Sequence, residues 1–364
     1  MNLRKILINV IISVIIGFVI VNIVGVFFAD QNMISAIKVF PKKAWLVMLG
    51  LLVLDYLLHT LRTFFVVRSM GHKLTLFQCF ENVFLNMFFS FVTPMSIGGQ
   101  PFQIYHLTRL GIPAYDATNI SISRLFVGVA VVFTVDIFFI SKVLSILRGT
   151  VGLTIVLLGF FVTVVITILG FLVFVNKNLL LKIFRFIGFI TKSEKIKKKE
   201  ADALEWLDKM SQSTKILFSK SSWSLILDFG LGLLGSALIA YQLKFAIESV
   251  STKTLAFPVF WGIMTMLSTV AYYIPTPGSS GGVEGFYQLV YSTIYGGKAS
   301  MSGIVVYRFV TYYLIVFLGT VLVWRFARFR KEIEAVESPE KSSEITESTG
   351  PREESTKEHV DDHK

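Results

Sequence analysis

The sequence predicts an all-α integral membrane protein of about six full spans plus two re-entrant broken-helix hairpins arranged as an inverted repeat. Three observations carry that prediction. Hydrophobic residues make up 54% of the 364, mean hydropathy is +0.67, and several uncharged runs reach the ~20 residues that cross a hydrocarbon core about 30 Å thick. Two further apolar segments, 79–108 and 257–296, are each interrupted in the middle by Pro and Gly. The two interruptions share a motif.

In chain order, full spans are predicted at about 6–28, 45–68, 117–142, 151–175, 222–245 and 301–326. The first begins after Arg4 and Lys5. Its 23 uncharged residues exceed a secretory h-region and no A-x-A site follows, so it reads as a retained span. Segment 176–220 opens with "NKNLLLKIFRFIGFI", apolar but carrying Lys182 and Arg185, and continues with "ADALEWLDKM". Both read as interfacial helices on anionic lipid. Residues 332–364 are rich in Ser, Thr and Glu without apolar periodicity, which predicts a disordered acidic tail after a transmembrane domain of residues 1–331.

Loop cations set the orientation, because short basic loops stay in the cytoplasm. Arg4 and Lys5, Arg68 with His72 and Lys73, "KSEKIKKK" (192–199) and "RFARFRK" (325–331) are all placed inside, with both termini. The assignment closes only if each broken segment enters and leaves by one face, the first hairpin from the cytoplasm and the second from outside. The loop 29–44, with Lys38, Lys42 and Lys43, is then an outside loop against the charge rule.

The interruptions read "TPMSIGG" (93–99) and "TPGSSGG" (276–282), five identities in seven positions. An arginine follows each in the next span: Arg124, 31 residues after Thr93, and Arg308, 32 after Thr276. The repeats are therefore about 45–142 and 222–326, a plan that in transporters places a binding site at the repeat interface near the midplane. Irregular backbone survives at membrane depth only inside protein or against a wet cavity, so the breaks at Pro94 and Pro101 and at Pro275 and Pro277 should face each other. Gly98, Gly99, Gly281 and Gly282 permit positive φ and close approach of a ligand. The half-helix N-termini that follow favour an anion, for which lipid phosphate is the obvious source.

Arg124 and Arg308 lie within spans, where a charge costs about 2.5–3.5 kcal/mol on insertion scales and is usually paired or functional. Snorkelling to the interface is the bland reading; their matched positions favour a headgroup site. Glu284 opens the second half-helix, either complementing the helix N-terminus or pairing an arginine or carrying a proton. Ser96, Ser279, Gln100 and Gln103 complete the candidate binding set, and His106 lies on the same half-helix as Gln103. Asp55, His59 and Arg62, at i, i+4 and i+7, form an inward polar stripe. Asp136 and Asp228 are intramembrane carboxylates with no partner evident from sequence.

Other chemistries find little support. The formal net charge is +11; residues 332–364 hold 11 acidic and 4 basic residues, a net −7, which leaves +18 on residues 1–331. Those cations flank apolar spans, so they read as topology signals and anionic-lipid contacts, not as a nucleic-acid surface. Cys79 is the one cysteine, which excludes an internal disulfide and multi-cysteine metal sites. No HExxH or similar pair is present, and no cofactor is expected. "GSSG" (278–281) fits the GxSG pattern of intramembrane serine proteases with His59 as the only embedded base, but the first copy loses that pattern while keeping the break.

At these residues the chain resembles a known family. "GGQPFQIYHLTRLG" with Arg124 downstream, and "PTPGSSGGVEGFYQLVY" with "VVYRFVTYY", look like the two signatures of the transmembrane, flippase-like domain of the lysylphosphatidylglycerol synthase family, the membrane half of the multiple peptide resistance factor. The resemblance covers most of residues 1–330, with Pro275, Pro277, Gly281, Gly282, Glu284 and Arg308 matching the second signature. It implies a bacterial or archaeal inner-membrane protein that handles lipids. This chain carries a short acidic tail where the soluble synthase domain would stand, so aminoacyl transfer is not expected of it. Ser123 precedes Arg124 where many members of the family place Glu, which leaves the partner of Arg124 open.

The expectation is thus a non-enzymatic flippase for a phosphate-bearing lipid, in the cell membrane, with phospholipid at the breaks and anionic lipid at the basic loop. A non-transporting membrane subunit that supports a lipid-modifying or glycosyl-transferring enzyme is the alternative. Lipid identity and oligomeric state, a homo-oligomer included, are left open.

Overall fold

The computed structural model describes residues 33–147, 151–176, 200–271 and 273–322, with single residues between 15 and 26 and at 179 and 182. These fold into helices without a strand. They are α1 (Met33–Val39), α2 (Lys42–Ser69), α3 (Leu76–Phe91), α4 (Gly99–Arg109), α5 (Ala114–Leu147), α6 (Val151–Val175), α7 (Glu200–Ser219), α8 (Ser222–Glu248), α9 (Phe257–Ala271), α10 (Gly282–Tyr295) and α11 (Gly297–Arg308). A π-helical turn, Phe309–Tyr313, follows α11. The chain forms one unit from Asn2 to Gly319; of the second, only the helical residues 320–322 are described among Thr320–Lys364.

Among the described residues four helices are long and apolar enough to cross a bilayer: Lys42–Ser69, Ala114–Ile146, Ser222–Glu248 and Gly297–Leu322. They coincide with predicted spans, and α6 with a fifth. The protein is a multi-pass membrane protein. Apolar side chains such as Leu46, Phe138 and Ile226 are exposed, as expected of helices whose outer surface meets lipid. The predicted span 6–28, the stretches 192–199 and 325–331 and the tail 332–364 lie outside the described residues, apart from single positions such as Gly17.

Local chemistry sets the ends of the broken segments. Gly71, at φ +86, closes α2, its N–H bonding to the Arg68 carbonyl. Thr75 and Gln78 form a capping box that starts α3. Segments 79–108 and 257–296 resolve into the half-helix pairs α3–α4 and α9–α10, each interrupted where Pro and Gly cluster. The loop expected at 29–44 contains α1 instead: Met33 and Ala36 bury against Met301 and Val305 of α11, and that packing gives seven residues a helical conformation they would not keep alone.

The interior is centred on α2 and α8, which pack on each other. Met48 and Tyr56 of α2 join Leu243, Phe260, Tyr287 and Tyr291 in the main core. α5 packs on both α8 and α9, so it reaches well beyond its sequence neighbours.

α7 is docked by polar contacts on the start of α5. Asn119 donates to the Met210 carbonyl at 2.9 Å and accepts from Thr214 at 2.9 Å. Ser213 donates to Asp116, whose other oxygen lies 2.9 Å from His72 Nε2. Asn119 is fully buried, so Asn119→Ala should cost about 1–3 kcal/mol by leaving buried polar partners unmet. Limited proteolysis should then cut within 200–219 faster while the α2–α8 core stays resistant; an unchanged cleavage rate would contradict this docking.

Candidate functional site

The two interruptions share the backbone of their turns, over 93–97 and 276–280. Ser96 N–H bonds to Thr93 O at 3.2 Å and Ser279 N–H to Thr276 O at 3.1 Å; Ile97 to Pro94 and Ser280 to Pro277 repeat the match at 3.2 and 3.1 Å. Met95 and Ser96 have φ of 53 and 55°, and Gly278 and Ser279 have 57 and 54°. Three of these four are not glycine, and each non-glycine residue in the left-handed region costs of order 1–2 kcal/mol. The left-handed positions therefore differ from those expected. Of Gly98, Gly99, Gly281 and Gly282, only Gly281 has positive φ, at 88°, and Gly98 is right-handed at −71°. Gly99 is required for room instead, since a Cβ there would sit 2.0 Å from Ser90 Oγ.

The interruptions touch. Pro94 and Pro277 form an isolated antiparallel bridge, and Phe91 meets the Tyr312 ring edge-on, 5.3 Å between centroids. Irregular backbone from two distant parts of the chain is thus brought together within the helices.

At the second interruption the charge is fully arranged. Glu284 accepts from the Gly281 N–H at 2.7 Å through one oxygen and from Arg308 Nε at 2.7 Å through the other. Arg308 Nη2 also donates to the Gly278 carbonyl at 3.3 Å and to Ser280 Oγ at 3.0 Å. The guanidinium lies 4.2 Å from the Tyr312 ring centroid, a cation–π contact. Glu284 and Arg308 are both buried. The π-helical turn places Tyr312 so close that a Cβ on Gly278 would come within 2.2 Å of its ring, and such turns are frequent at functional sites. Ser279 Oγ and Tyr313 Oη are buried without a hydrogen-bond partner. A Cβ on Gly17 would lie 2.8 Å from Tyr313 Oη and 3.3 Å from Ser280 Oγ, so Gly17 stands against this group.

The first interruption differs. Pro101, in the first turn of α4, occupies the position equivalent to Glu284, so no carboxylate stands there. Arg124 turns to α2: Nη1 donates to Thr63 Oγ1 at 2.5 Å and Nη2 to the His59 carbonyl at 3.5 Å, while Nε lies 3.8 Å from Asp228 Oδ1 on α8. That same oxygen accepts from Arg62 Nε at 2.7 Å. One buried carboxylate thus serves two guanidiniums, and Arg124 Nε and Asp228 Oδ2 have no hydrogen-bond partner. Sequence reasoning named Arg62, Arg124 and Asp228 but not this assembly.

Gln103 faces inward, into an amide network. Its Oε1 accepts from Ser121 at 2.8 Å and Asn86 at 3.3 Å, its Nε2 donates to Asn82 Oδ1 at 3.1 Å, and Asn82 also reaches His106 Nδ1 at 3.3 Å. Held in this way, Gln103 braces α3, α4 and α5. Gln100 is half-buried in the first turn of α4. Asp136 accepts from Thr265 of α9 at 2.7 Å. Ser280, in the GSSG stretch, bonds to Arg308, while His59 faces Asp55 at 3.7 Å. Among the described residues no three of His, Cys, Asp and Glu gather as a metal set.

The family model described as the lysylphosphatidylglycerol synthase TM region matches residues 10–319. The chain belongs to this family. Both interruptions, Glu284, Arg308 and the Arg62–Asp228–Arg124 cluster lie inside the match, and membership ties the protein to a membrane-lipid role. No curated protein matches the chain.

Proposed function

We propose that this member of the lysylphosphatidylglycerol synthase TM family moves a lipid with a phosphate-bearing headgroup across the cell membrane. The reading is of six full spans and two re-entrant hairpins, with repeats 45–142 and 222–326 in inverted topology and both termini in the cytoplasm. The contact between the two interruptions, made where Arg308 and unpartnered Ser279 lie buried, is the observation that carries it. An antiparallel pairing of matched prolines is what a local two-fold between inverted repeats would give.

In this mechanism the headgroup phosphate takes the Arg308 guanidinium from Glu284, an exchange of one oxyanion for another. Glu284 keeps the Gly281 N–H as partner throughout, at a helix N-terminus whose dipole favours its charge. Ser279, Ser280 and the first turns of α4 and α10, with Gln100 beside the former, offer further donors to the phosphate.

The test is translocation of a fluorescent phospholipid in proteoliposomes. Arg308→Lys keeps the charge but loses the planar fork, and should slow translocation by at least about tenfold, the scale of one charge-assisted hydrogen bond. Wild-type protein that moves no lipid, while a lipid-modifying or glycosyl-transferring activity in the same membrane depends on the cations of 192–199, would favour the supporting-subunit alternative instead.

A further inference from the structure

The Arg62–Asp228–Arg124 cluster has a fourth member that the transport reading does not use. Asp55 lies two turns before Arg62 on α2, its Oδ1 is buried without a hydrogen-bond partner, and the nearest basic nitrogen recorded for it is His59 Nε2 at 3.7 Å. Asp228 engages both guanidiniums and its side chain is 0% exposed, whereas Asp55 and His59 are 13% and 17% exposed. Asp55 is therefore the carboxylate left over, and the one a proton can reach.

We infer that Asp55 is a proton-binding site, and that the proton it carries lets the Arg62–Arg124 pair accept the phosphate oxyanion of a lipid headgroup. With a neutral imidazole, two guanidiniums and two carboxylates sum to zero, and such a cluster does not draw an anion out of water. One proton on Asp55 raises the sum to +1. Arg62 lies within electrostatic reach of Asp55 and His59, and Arg124 Nε is a buried donor already lacking a partner. Proton and anion thus favour each other, and linkage makes the effect reciprocal.

The surroundings add no competing charge. α8 contributes Asp228 and α5 contributes Arg124. α3 presents Phe80 and Phe84 to Tyr56, with the thiol of Cys79 nearer the arginines. The π-helical turn that touches α2 carries only tyrosines as titratable groups.

This inference rests on the proposed transport only for its consequence, so binding and transport are read separately. Purified protein in a maltoside detergent, which carries no phosphate, is titrated with sulfate, which has the shape of a phosphate but does not itself titrate near neutral pH, and proton uptake is followed with a dye. Wild type should take up about one proton per sulfate bound, and above the Asp55 midpoint the sulfate Kd should rise roughly tenfold per pH unit. Asp55→Asn should bind sulfate with no uptake and no pH dependence, and Asp55→Glu should restore both. Added zwitterionic phospholipid should suppress sulfate binding by occupying the site with its phosphate; undiminished binding there would overturn the lipid assignment. Sulfate binding without proton uptake by wild type, unchanged pH dependence in Asp55→Asn, or no sulfate binding at any pH would overturn the proposal. Lipid translocation that persists in those cases leaves the transport reading standing, whereas coupled uptake without translocation removes transport alone.

Discussion

Truncating Glu284 to Ala is expected to destabilise the protein by roughly 3–5 kcal/mol, the range for removing one partner of a buried ion pair. Arg308, 4% exposed, would be left a buried cation with only Ser280, the Gly278 carbonyl and the Tyr312 ring around it. The Gly281 N–H would lose its acceptor as well. Glu284→Gln keeps that acceptor and loses only the charge, so it should fall between Ala and wild type. The double variant Glu284→Met with Arg308→Met removes both charges and should recover most of the melting temperature, because an apolar pair avoids the desolvation of two ions. Melting followed by size-exclusion recovery in detergent makes the comparison. A double variant no more stable than Glu284→Ala would mean that the loss reflects the half-helix start and not the ion pair.

Gly303→Ala should be the other severe change. A Cβ at this position of α11 would lie 2.4 Å from Ile247 Cα and 2.6 Å from its backbone nitrogen on α8. Backbone atoms cannot step aside as a side-chain tip can, so the two helices must separate, at a cost of at least about 1–3 kcal/mol. Close approach through small residues is how membrane helices gain contact without a hydrophobic drive between them. Gly235, on α8, has open space where its Cβ would go. Gly235→Ala should therefore stabilise by roughly 0.4–1 kcal/mol through the unfolded chain. The pair of melts is its own control: a Gly303→Ala protein that melts no lower than Gly235→Ala would show that helix separation at Gly303 is not limiting.

The interruptions were legible because Pro and Gly break an apolar period visibly, and because one motif occurs twice. Arg308 and Glu284 were legible for the same reason, each at a fixed distance from that motif. Asp228 could be named but not paired, since its partner Arg62 is 166 residues away and two lone charges in different spans carry no sequence signal of mutual contact. The left-handed residues fell at Met95 and Ser96 instead of Gly98 and Gly99, because the turn around Thr93 O and Pro94 O fixes φ against residue preference. The π-helical turn adds one residue to a helix, too small a change for hydropathy to register, although Tyr312 four residues after Arg308 is the spacing at which a ring can cover a guanidinium. α1 depends on burial against α11, a tertiary cause invisible in its own seven residues.

The reach of α5 constrains how the molecule could change shape. It belongs by sequence with residues 45–142, yet it lies on α8 and α9 and is fastened there by Asp136 to Thr265 and by Arg124 beside Asp228. A swing that carried the first half past the second as one block would tear both fastenings inside the bilayer. In the proposed transport the moving body would therefore be cut across the sequence halves, with α5 travelling alongside the helices of its neighbour, and the give would come from the joints at residues 92–98 and 273–281.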